Sequence, residues 1–150
     1  MVHSNLNLPH LKTSKMSSEL KLELPIYYTI DYKTKPSKTF LCGINWFRNA
    51  YYHEQNKIKT HFEDLISDQV KSLPIKTLSQ FTVEYTLYYK NSSCDPSNII
   101  ALIEKFVLDG LQKTNHLTQD SVKYHLGSSF TIGGQDKENP RVDITVKGIE

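Results

Sequence analysis

The feature that most constrains this chain is a change of hydrophobic period between residues 80 and 111. Apolar and polar residues alternate through residues 81–90, which is the pattern of a strand with one buried face. Apolar residues then recur at helical spacing through residues 99–111. Asp95 and Pro96 mark the start of that helix, because Asp accepts hydrogen bonds from free N–H groups of the first turn and Pro needs no N–H partner there. The segment therefore predicts a strand followed closely by an amphipathic helix.

The flanking sequence predicts a second helix and three further strands. A helical pattern spans residues 44–70, and strand patterns occupy residues 19–31, which Pro25 should break or bend, 122–126 and 142–146. Residues 32–40 are expected to form a loop, and residues 133–140 a hairpin connection between the last two strands. The order strand, helix, strand, helix, strand, strand predicts an α+β fold: a single domain with a mixed, largely antiparallel sheet of about four strands and two main helices packed on one face.

Length and composition agree with one domain. The chain has 150 residues and a mass of 17.3 kDa, which suffices for one core but not comfortably for two. Residues 1–18 are polar and without a sustained period, so we expect a mobile or loosely docked N-terminal arm ahead of a domain at residues 19–150. No apolar run approaches the roughly 20 residues needed to span a bilayer. Two cysteines and no secretory signal favour a reducing cytoplasm.

The charge of the whole chain does not indicate a nucleic-acid partner, because Lys and Arg outnumber Asp and Glu only by 18 to 16. Any basic surface must be local. The predicted helix at residues 44–70 carries Arg48, Lys57 and Lys59 together with two histidines on its first turns. These side chains form either an ordinary solvated face or a face that binds phosphates.

Three carboxylates lie at or near the predicted helix that Asp95 caps, and Asp95 is the first of them. Asp109 lies within it and Asp120 follows it, where the next strand should begin. If they converge, their mutual repulsion requires a cation, and oxygen ligands favour a hard ion such as Mg²⁺. Lys105, one turn before Asp109, could then face a substrate phosphate. The alternative is a helix cap at Asp95, a turn residue at Asp120 and a surface ion pair between Lys105 and Asp109.

Several segments together resemble the signature of the RusA-type Holliday junction resolvases. Residues 95–98 (Asp-Pro-Ser-Asn) resemble the family's Asp-x-Asp-Asn segment; Lys105 precedes Asp109 by four residues, and Asp120 follows a short turn. Asn45 opens a segment similar to the family's Asn-x-aromatic helix start. Residues 140–146 resemble its final strand, and the likeness extends over residues 20–150.

This resemblance implies a homodimeric, Mg²⁺-dependent endodeoxyribonuclease, with Mn²⁺ as a possible substitute, that cleaves four-way DNA junctions in recombination, repair or bacteriophage DNA processing. Carried over residue by residue, Asp95 and Asp120 would bind metal with Asp109 as a further candidate, Lys105 would contact the scissile phosphate, and Asn98 would support the site. Phosphate contacts are expected from Arg48, Lys57, Lys59 and Lys105. The expected location is the cytoplasm of a bacterium, or of a host cell if the chain is phage-encoded.

The chain departs from the family's pattern at two positions. Ser97 stands where the family usually has a second Asp, which removes a negative charge and leaves a weak neutral ligand. Cys94 stands where a basic residue often precedes the first Asp, and no neighbouring side chain is placed to activate its thiol. The alternative function is therefore a catalytically weakened or inactive relative that binds branched DNA or a protein partner. A further alternative is an unrelated α+β interaction domain whose carboxylates never meet.

Overall fold

The computed structural model describes residues 18–74 and 77–149 of the chain. The elements in chain order are β1 (Glu19–Pro25), β2 (Tyr27–Ile30), β3 (Lys38–Leu41), α1 (Ile44–Asn49), α2 (Tyr52–Val70), β4 (Phe81–Tyr89), α3 (Pro96–Lys113), β5 (His125–Gln135) and β6 (Arg141–Gly148). The N-terminal arm expected from the sequence lies, except for Ser18, outside the described residues. Within the described ranges, no helix combines the length and hydropathy needed to cross a bilayer.

Four of the strands form one mixed sheet in the order β1-β6-β4-β5. Strand β6 runs antiparallel to both β1 and β4, whereas β4 and β5 are parallel. Strands β2 and β3 form a separate antiparallel pair. The hairpin expected at residues 133–140 is wrong, because β4 lies between β5 and β6 and pairs with both. The predicted α+β fold with a mixed four-stranded sheet is confirmed.

The core lies between the sheet and the two long helices. In the edge strand β1 and in the two inner strands β6 and β4, alternate residues are buried. The residues between them are partly or fully exposed. Helix α3 buries most of its apolar residues. From its second turn on, α2 buries every fourth residue: Ile58, Phe62, Ile66 and Val70. Phe106 of α3 stacks on Phe62 of α2 with ring centroids 4.6 Å apart, and it meets Phe47 of α1 edge-on at 5.5 Å. This aromatic group joins all three helices.

The helix expected over residues 44–70 is interrupted. Ala50 and Tyr51 adopt extended backbone conformations, so that α1 ends at Asn49 and α2 begins at Tyr52. Side-chain amides bond to two carbonyls next to the break, one of which, that of Phe47, also accepts the Ala50 N–H. Asn49 Nδ2 donates to the carbonyl of Asn45 (2.9 Å), and Gln55 Nε2 donates to that of Phe47 (2.8 Å). These bonds remove part of the cost of ending a helix inside the protein.

Two strand boundaries also differ from those expected. The segment predicted as a loop at residues 32–40 contains most of β3, which pairs with β2 to form a hairpin. Strand β5 begins at His125, because residues 121–125 form a turn in which Tyr124 N–H and His125 N–H both donate to the Ser121 carbonyl. Val122, predicted to be a strand residue, lies in this turn and is 92% exposed.

The two outer strands of the sheet differ in what their free edges meet. At β1, Gln69 from the end of α2 bonds both backbone groups of Glu23: Gln69 Nε2 donates to the Glu23 carbonyl (2.7 Å), and Glu23 N–H donates to Gln69 Oε1 (2.9 Å). This amide occupies the position that a neighbouring strand would take. No strand in the described part of the chain pairs with the outer edge of β5.

Candidate functional site

The start of α3 is built as the sequence predicts. Asp95 is the N-cap residue, with an extended backbone, and Pro96 follows at the first helical position. Asp95 Oδ1 accepts a hydrogen bond from the backbone N–H of Asn98 at 3.4 Å, and the Asp95 side chain is exposed to solvent. The carboxylate therefore lies at the protein surface, where it could still contact a ligand.

Asn98 joins this helix start to a distant segment of the chain. Its Oδ1 accepts a hydrogen bond from the backbone N–H of Asn45, at the start of α1, at 3.1 Å. The approach is so close that a Cβ at Gly43 would lie 2.2 Å from Asn98 Nδ2. Only a glycine at position 43 leaves room for the Asn98 amide in this orientation. Two segments that are 53 residues apart, both singled out in the sequence, are thus in direct contact.

Lys105 and Asp109 form an ion pair on the exposed side of α3. Lys105 Nζ lies 3.7 Å from Asp109 Oδ2, and the two side chains are 43% and 37% exposed. A pair with this exposure contributes only a few tenths of a kcal/mol. Because a helix rises 1.5 Å per residue, Lys105 lies about 15 Å and Asp109 about 21 Å along α3 from Asp95. The polar stripe predicted from the sequence exists, but its members are spread along the helix.

Asp120 lies at the opposite end of the molecule from Asp95. The loop that contains it packs against the beginning of β4, where Thr118 N–H donates to the Leu78 carbonyl and Phe81 N–H to the Tyr124 carbonyl. Asp95 instead follows the end of β4. The 18 residues of α3 between the two loops span about 27 Å.

The expected convergence of Asp95, Asp109 and Asp120 on one ion within one chain is therefore wrong. The physical reason is the connection β4-α3-β5: its two strands are parallel, so the loop entering α3 and the loop leaving it lie at opposite ends of the sheet. Among residues 18–74 and 77–149, no three His, Cys, Asp or Glu side chains are grouped so as to hold a metal ion. Asp95, Asp109 and Asp120 of one chain therefore cannot all bind the same ion.

The basic residues predicted to contact DNA lie on different surfaces. Arg48 is exposed in the last turn of α1. Lys57 lines a shallow groove with Tyr28 and His61, whereas Lys59 lines another between α2 and α3 that also contains Asp109 and Lys113. Lys57 and Lys59 thus flank α2 on two sides instead of forming one row.

The groove beside Lys57 is also lined by His61 and Asp64, and Lys57 Nζ lies 3.8 Å from Glu54 Oε1. Burial outweighs the attraction of the Asp64 carboxylate and lowers the pKa of His61. His61 packs edge-on against Tyr28 with ring centroids 5.2 Å apart. We infer that His61 acts there as a neutral ring, and that Lys57 supplies the positive charge.

The sequence reading missed an exposed aromatic corner at the junction of α1 and α2. Tyr51 and Tyr52 are 74% and 67% exposed, although most aromatic side chains of this chain are at least partly buried. Their rings lie 5.8 Å and 5.5 Å from the ring of His53, and Arg48 is close in sequence. Exposed aromatic rings beside a cation can stack on unpaired nucleobases. The signal in the sequence was the Tyr-Tyr-His run, which a continuous helix would have placed on different faces.

A second missed feature is a polar cluster centred on Glu104 of α3. Tyr85 OH donates to Glu104 Oε2 at 2.9 Å, and Ser128 Oγ donates to the same oxygen at 2.5 Å. His125 Nε2 lies 2.7 Å from Ser128 Oγ. Burial, together with the negative charge of Glu104 and the hydrogen bond to it, raises the pKa of Tyr85. The cluster fixes α3 to β4 and β5.

This cluster does not have the arrangement of a nucleophilic triad. The single hydroxyl proton of Ser128 goes to Glu104, so the His125 Nε2–H must donate to Ser128 Oγ. In a triad the histidine instead accepts the proton of the serine, and the carboxylate holds the far side of the histidine ring. Tyr85 gave the sequence signal, because a tyrosine on the buried face of a strand needs a partner for its hydroxyl.

Neither cysteine is an activated nucleophile. Both are free; Cys42 is buried and Cys94 is partly exposed. Burial raises the pKa of the Cys42 thiol to about 12. Burial and the nearby negative charge of Asp95 also raise the pKa of Cys94. Both thiols are therefore protonated at neutral pH, as the sequence predicts for Cys94.

We expect an aromatic disulfide reagent to label one thiol per native chain and two per chain in denaturant. The native reaction should occur at Cys94, because Cys42 is shielded from the reagent and its thiolate is disfavoured. Absorbance of the released thiolate measures both counts. In the matched control Cys94→Ser, native labelling should disappear; rapid native labelling of that variant would contradict the buried placement of Cys42.

Comparison with known proteins adds no assignment: no protein-family model matches the chain, and no curated protein matches it significantly.

Proposed function

We propose that the chain is a RusA-like, structure-specific endodeoxyribonuclease that binds branched DNA as a homodimer in the cytoplasm of a bacterium or of a phage-infected cell. The observation that carries this proposal is the contact between Asn98 and the backbone of Asn45. Both residues belong to segments on which the resemblance rests. Their contact supports a common role for the segments around Asn45 and Asn98, which are far apart in the sequence.

The surface around this contact has the chemistry needed to hold a phosphodiester. Asp95 presents an exposed carboxylate at the start of α3. Helix α1 carries Asn45 in its first turn and the exposed Arg48 in its last turn. A guanidinium can form two parallel hydrogen bonds with a phosphate. Beyond Arg48, the exposed rings of Tyr51 and Tyr52 suit bases that are unstacked at a branch point. Linear duplex offers no such bases, so this corner favours branched DNA.

The proposed site needs carboxylates from two chains. Asp95 and Asp120 of one chain lie at opposite ends of α3, so they cannot share an ion whose ligand bonds are about 2 Å long. In a two-fold dimer, Asp95 of each chain could instead be joined by Asp120 of the partner subunit. A Mg²⁺ ion held there would stabilise charge on the scissile phosphate. The homodimer is thus part of the proposed function and not an addition to it.

The proposal is tested with a labelled four-way junction and a linear duplex of the same sequence, incubated with the protein and Mg²⁺ or Mn²⁺. We expect junction-selective nicking that falls at least about a thousandfold in Asp95→Asn and in Asp120→Asn, since each removes a charged group from the reacting centre. The matched control is Asp68→Asn, an exposed carboxylate of α2 whose partner is Lys71. Its nicking rate should equal that of the unaltered chain.

Mixing the two inactive variants tests whether the site is shared between chains. A mixed dimer contains one site with both substitutions and one site with neither. After subunit exchange in an equal mixture, about a quarter of all sites should therefore be intact. Sites contained in one chain would give no recovery. Junction binding without nicking by the unaltered chain would instead favour the non-catalytic alternative, for which the exposed Ser97 beside Asp95 is the specific observation. If the unaltered chain neither binds nor nicks the junction, both the nuclease and the non-catalytic alternative are refuted.

A further inference from the structure

Strand β5 is an edge that is open and chemically suited to pairing. It is 11 residues long, and almost every residue is exposed. The stretch from Leu126 to Gly134 contains no charged residue and no proline. Natural edge strands are usually protected by lysine, proline or covering groups, because their free N–H and C=O groups otherwise pair with another chain. Along those nine positions β5 carries no lysine or proline, and no strand of the described residues covers its outer edge. Its pairing with β4 shifts register at Leu126 and at Gly133, so residues 127–132 form the regular part of the open edge.

The other outer strand provides an internal comparison. Strand β1 carries Glu19, Lys21 and Glu23, ends at Pro25, and has backbone groups bonded by Gln69. The same sheet is therefore protected at one edge and open at the other. If this protein simply tolerated exposed strand edges, β1 would not need its charges, its proline and its bonds to Gln69.

The apolar side chains of β5 are also exposed, whereas Ser128 of the same strand bonds to Glu104 of α3. Phe130 and Ile132 pair in register with Tyr85 and Leu87 of β4, so they lie on the side of the sheet that faces the helices. Yet they are 39% and 51% exposed, and Leu126, on the same strand, is 48% exposed. The core-facing side of the sheet thus continues one strand beyond the helices that cover it.

We propose that β5 is the dimer surface, and that it pairs antiparallel with β5 of a second copy to form a continuous eight-stranded sheet. A second copy fits better than another partner because the strand is self-complementary. An uncharged strand meets no like charge when it lies opposite itself, and its apolar residues then adjoin those of the partner. Pairing over the regular residues 127–132 would supply about six backbone hydrogen bonds.

This inference rests on the proposed function in one respect, which is that the assembly contains two copies. It also agrees with the requirement that Asp95 of one chain lie near Asp120 of the other. An antiparallel pair places the beginning of one β5 beside the end of the other. The beginning of β5 follows the loop with Asp120, and its end adjoins the end of β4, where Gln135 Nε2 donates to the Lys90 carbonyl shortly before Asp95. Pairing at β5 therefore brings the two required ends toward each other.

Sedimentation equilibrium of the full chain tests the surface. The unaltered chain should have a mass twice the 17.3 kDa of one copy. The double variant Phe130→Lys/Ile132→Lys should dissociate at least about tenfold more readily, because lysines then adjoin across the two-fold axis. The matched control is Val122→Lys, which charges an exposed apolar residue outside β5 and should leave the mass unchanged. A monomeric native chain, or equal dissociation of both variants, overturns the inference.

Hydrogen exchange of the same samples separates dissociation from unfolding. In the double variant, amides of residues 127–133 should lose protection, while those of α3 keep theirs. Loss of protection in α3 as well would show that the change in mass came from unfolding, and the single variant Ile132→Lys would then decide by the same criteria. A β5-dependent dimer that does not nick junctions refutes only the proposed function. Nicking with a dimer insensitive to the β5 variants refutes only the surface.

Discussion

Replacing Phe106 with Ala should lower the free energy of unfolding by about 3–5 kcal/mol, the usual cost of removing a buried phenyl ring. Phe106 is only 2% exposed, and its ring contacts those of Phe62 and Phe47 at centroid distances of 4.6 Å and 5.5 Å. The three residues come from three helices, so collapse around the cavity would require all of them to move. The expected result is a large loss of stability with the fold retained.

Urea denaturation at one fixed protein concentration measures this effect, since association shifts the apparent stability of a dimer. The matched control is Val122→Ala, which shortens a 92% exposed side chain and should change the free energy of unfolding by less than about 0.5 kcal/mol. A loss below about 1 kcal/mol in Phe106→Ala would contradict the central position assigned to this ring.

Replacing Gly43 with Ala should destabilise the protein by about 1–3 kcal/mol although it adds only one methyl group. The new Cβ would lie 2.2 Å from Asn98 Nδ2 and 2.8 Å from its Cγ. The Asn98 amide would have to turn away, and the N–H of Asn45 would lose its partner. The same change should reduce nicking under the proposed function, because it moves the start of α3 relative to α1.

A double-mutant cycle with Asn98→Ala isolates this contact. Asn98→Ala removes the atoms that the new methyl group would meet, so adding Gly43→Ala to it should cost less than about 0.5 kcal/mol. The coupling energy from urea denaturation should then be about 1–2 kcal/mol, as for residues in direct contact. Additive effects of the two substitutions would show that Gly43 and Asn98 act separately.

The sequence is sufficient for those elements whose signal is local. Strand β4 and helix α3 follow from the change of period and from the cap at Asp95, and both occur close to where they were expected. The break at Ala50 could not be predicted in this way, because the apolar pattern continues through it. What stabilises the break is Gln55 bonding to the Phe47 carbonyl. Strand β3 likewise depends on pairing with β2, which its own four residues do not reveal.

The candidate site could be predicted in its parts but not in its assembly. Asp95 and Asn98 have the positions that their residue types indicate, and Lys105 pairs with Asp109 as the simpler alternative expected. The error lay in assuming that a helix and the next strand bring their polar ends together. A parallel strand-helix-strand connection separates those ends by the length of the helix. Only the direction of β5, which depends on pairing far from the site, decides this.

The hydrogen bonds from Gln69 to Glu23 have a consequence for the size of the assembly. A sheet with one blocked edge can gain strands only at the other, so two copies joined through β5 would present a blocked β1 at each end. Within the described residues, this four-stranded sheet would then offer no open edge to a third copy, and its growth into a filament would stop at the first step. In the proposed pair, the Gln69 amide would therefore act with the charges of β1 to limit the assembly to two copies, and Gln69→Leu would leave that limit to the charges alone.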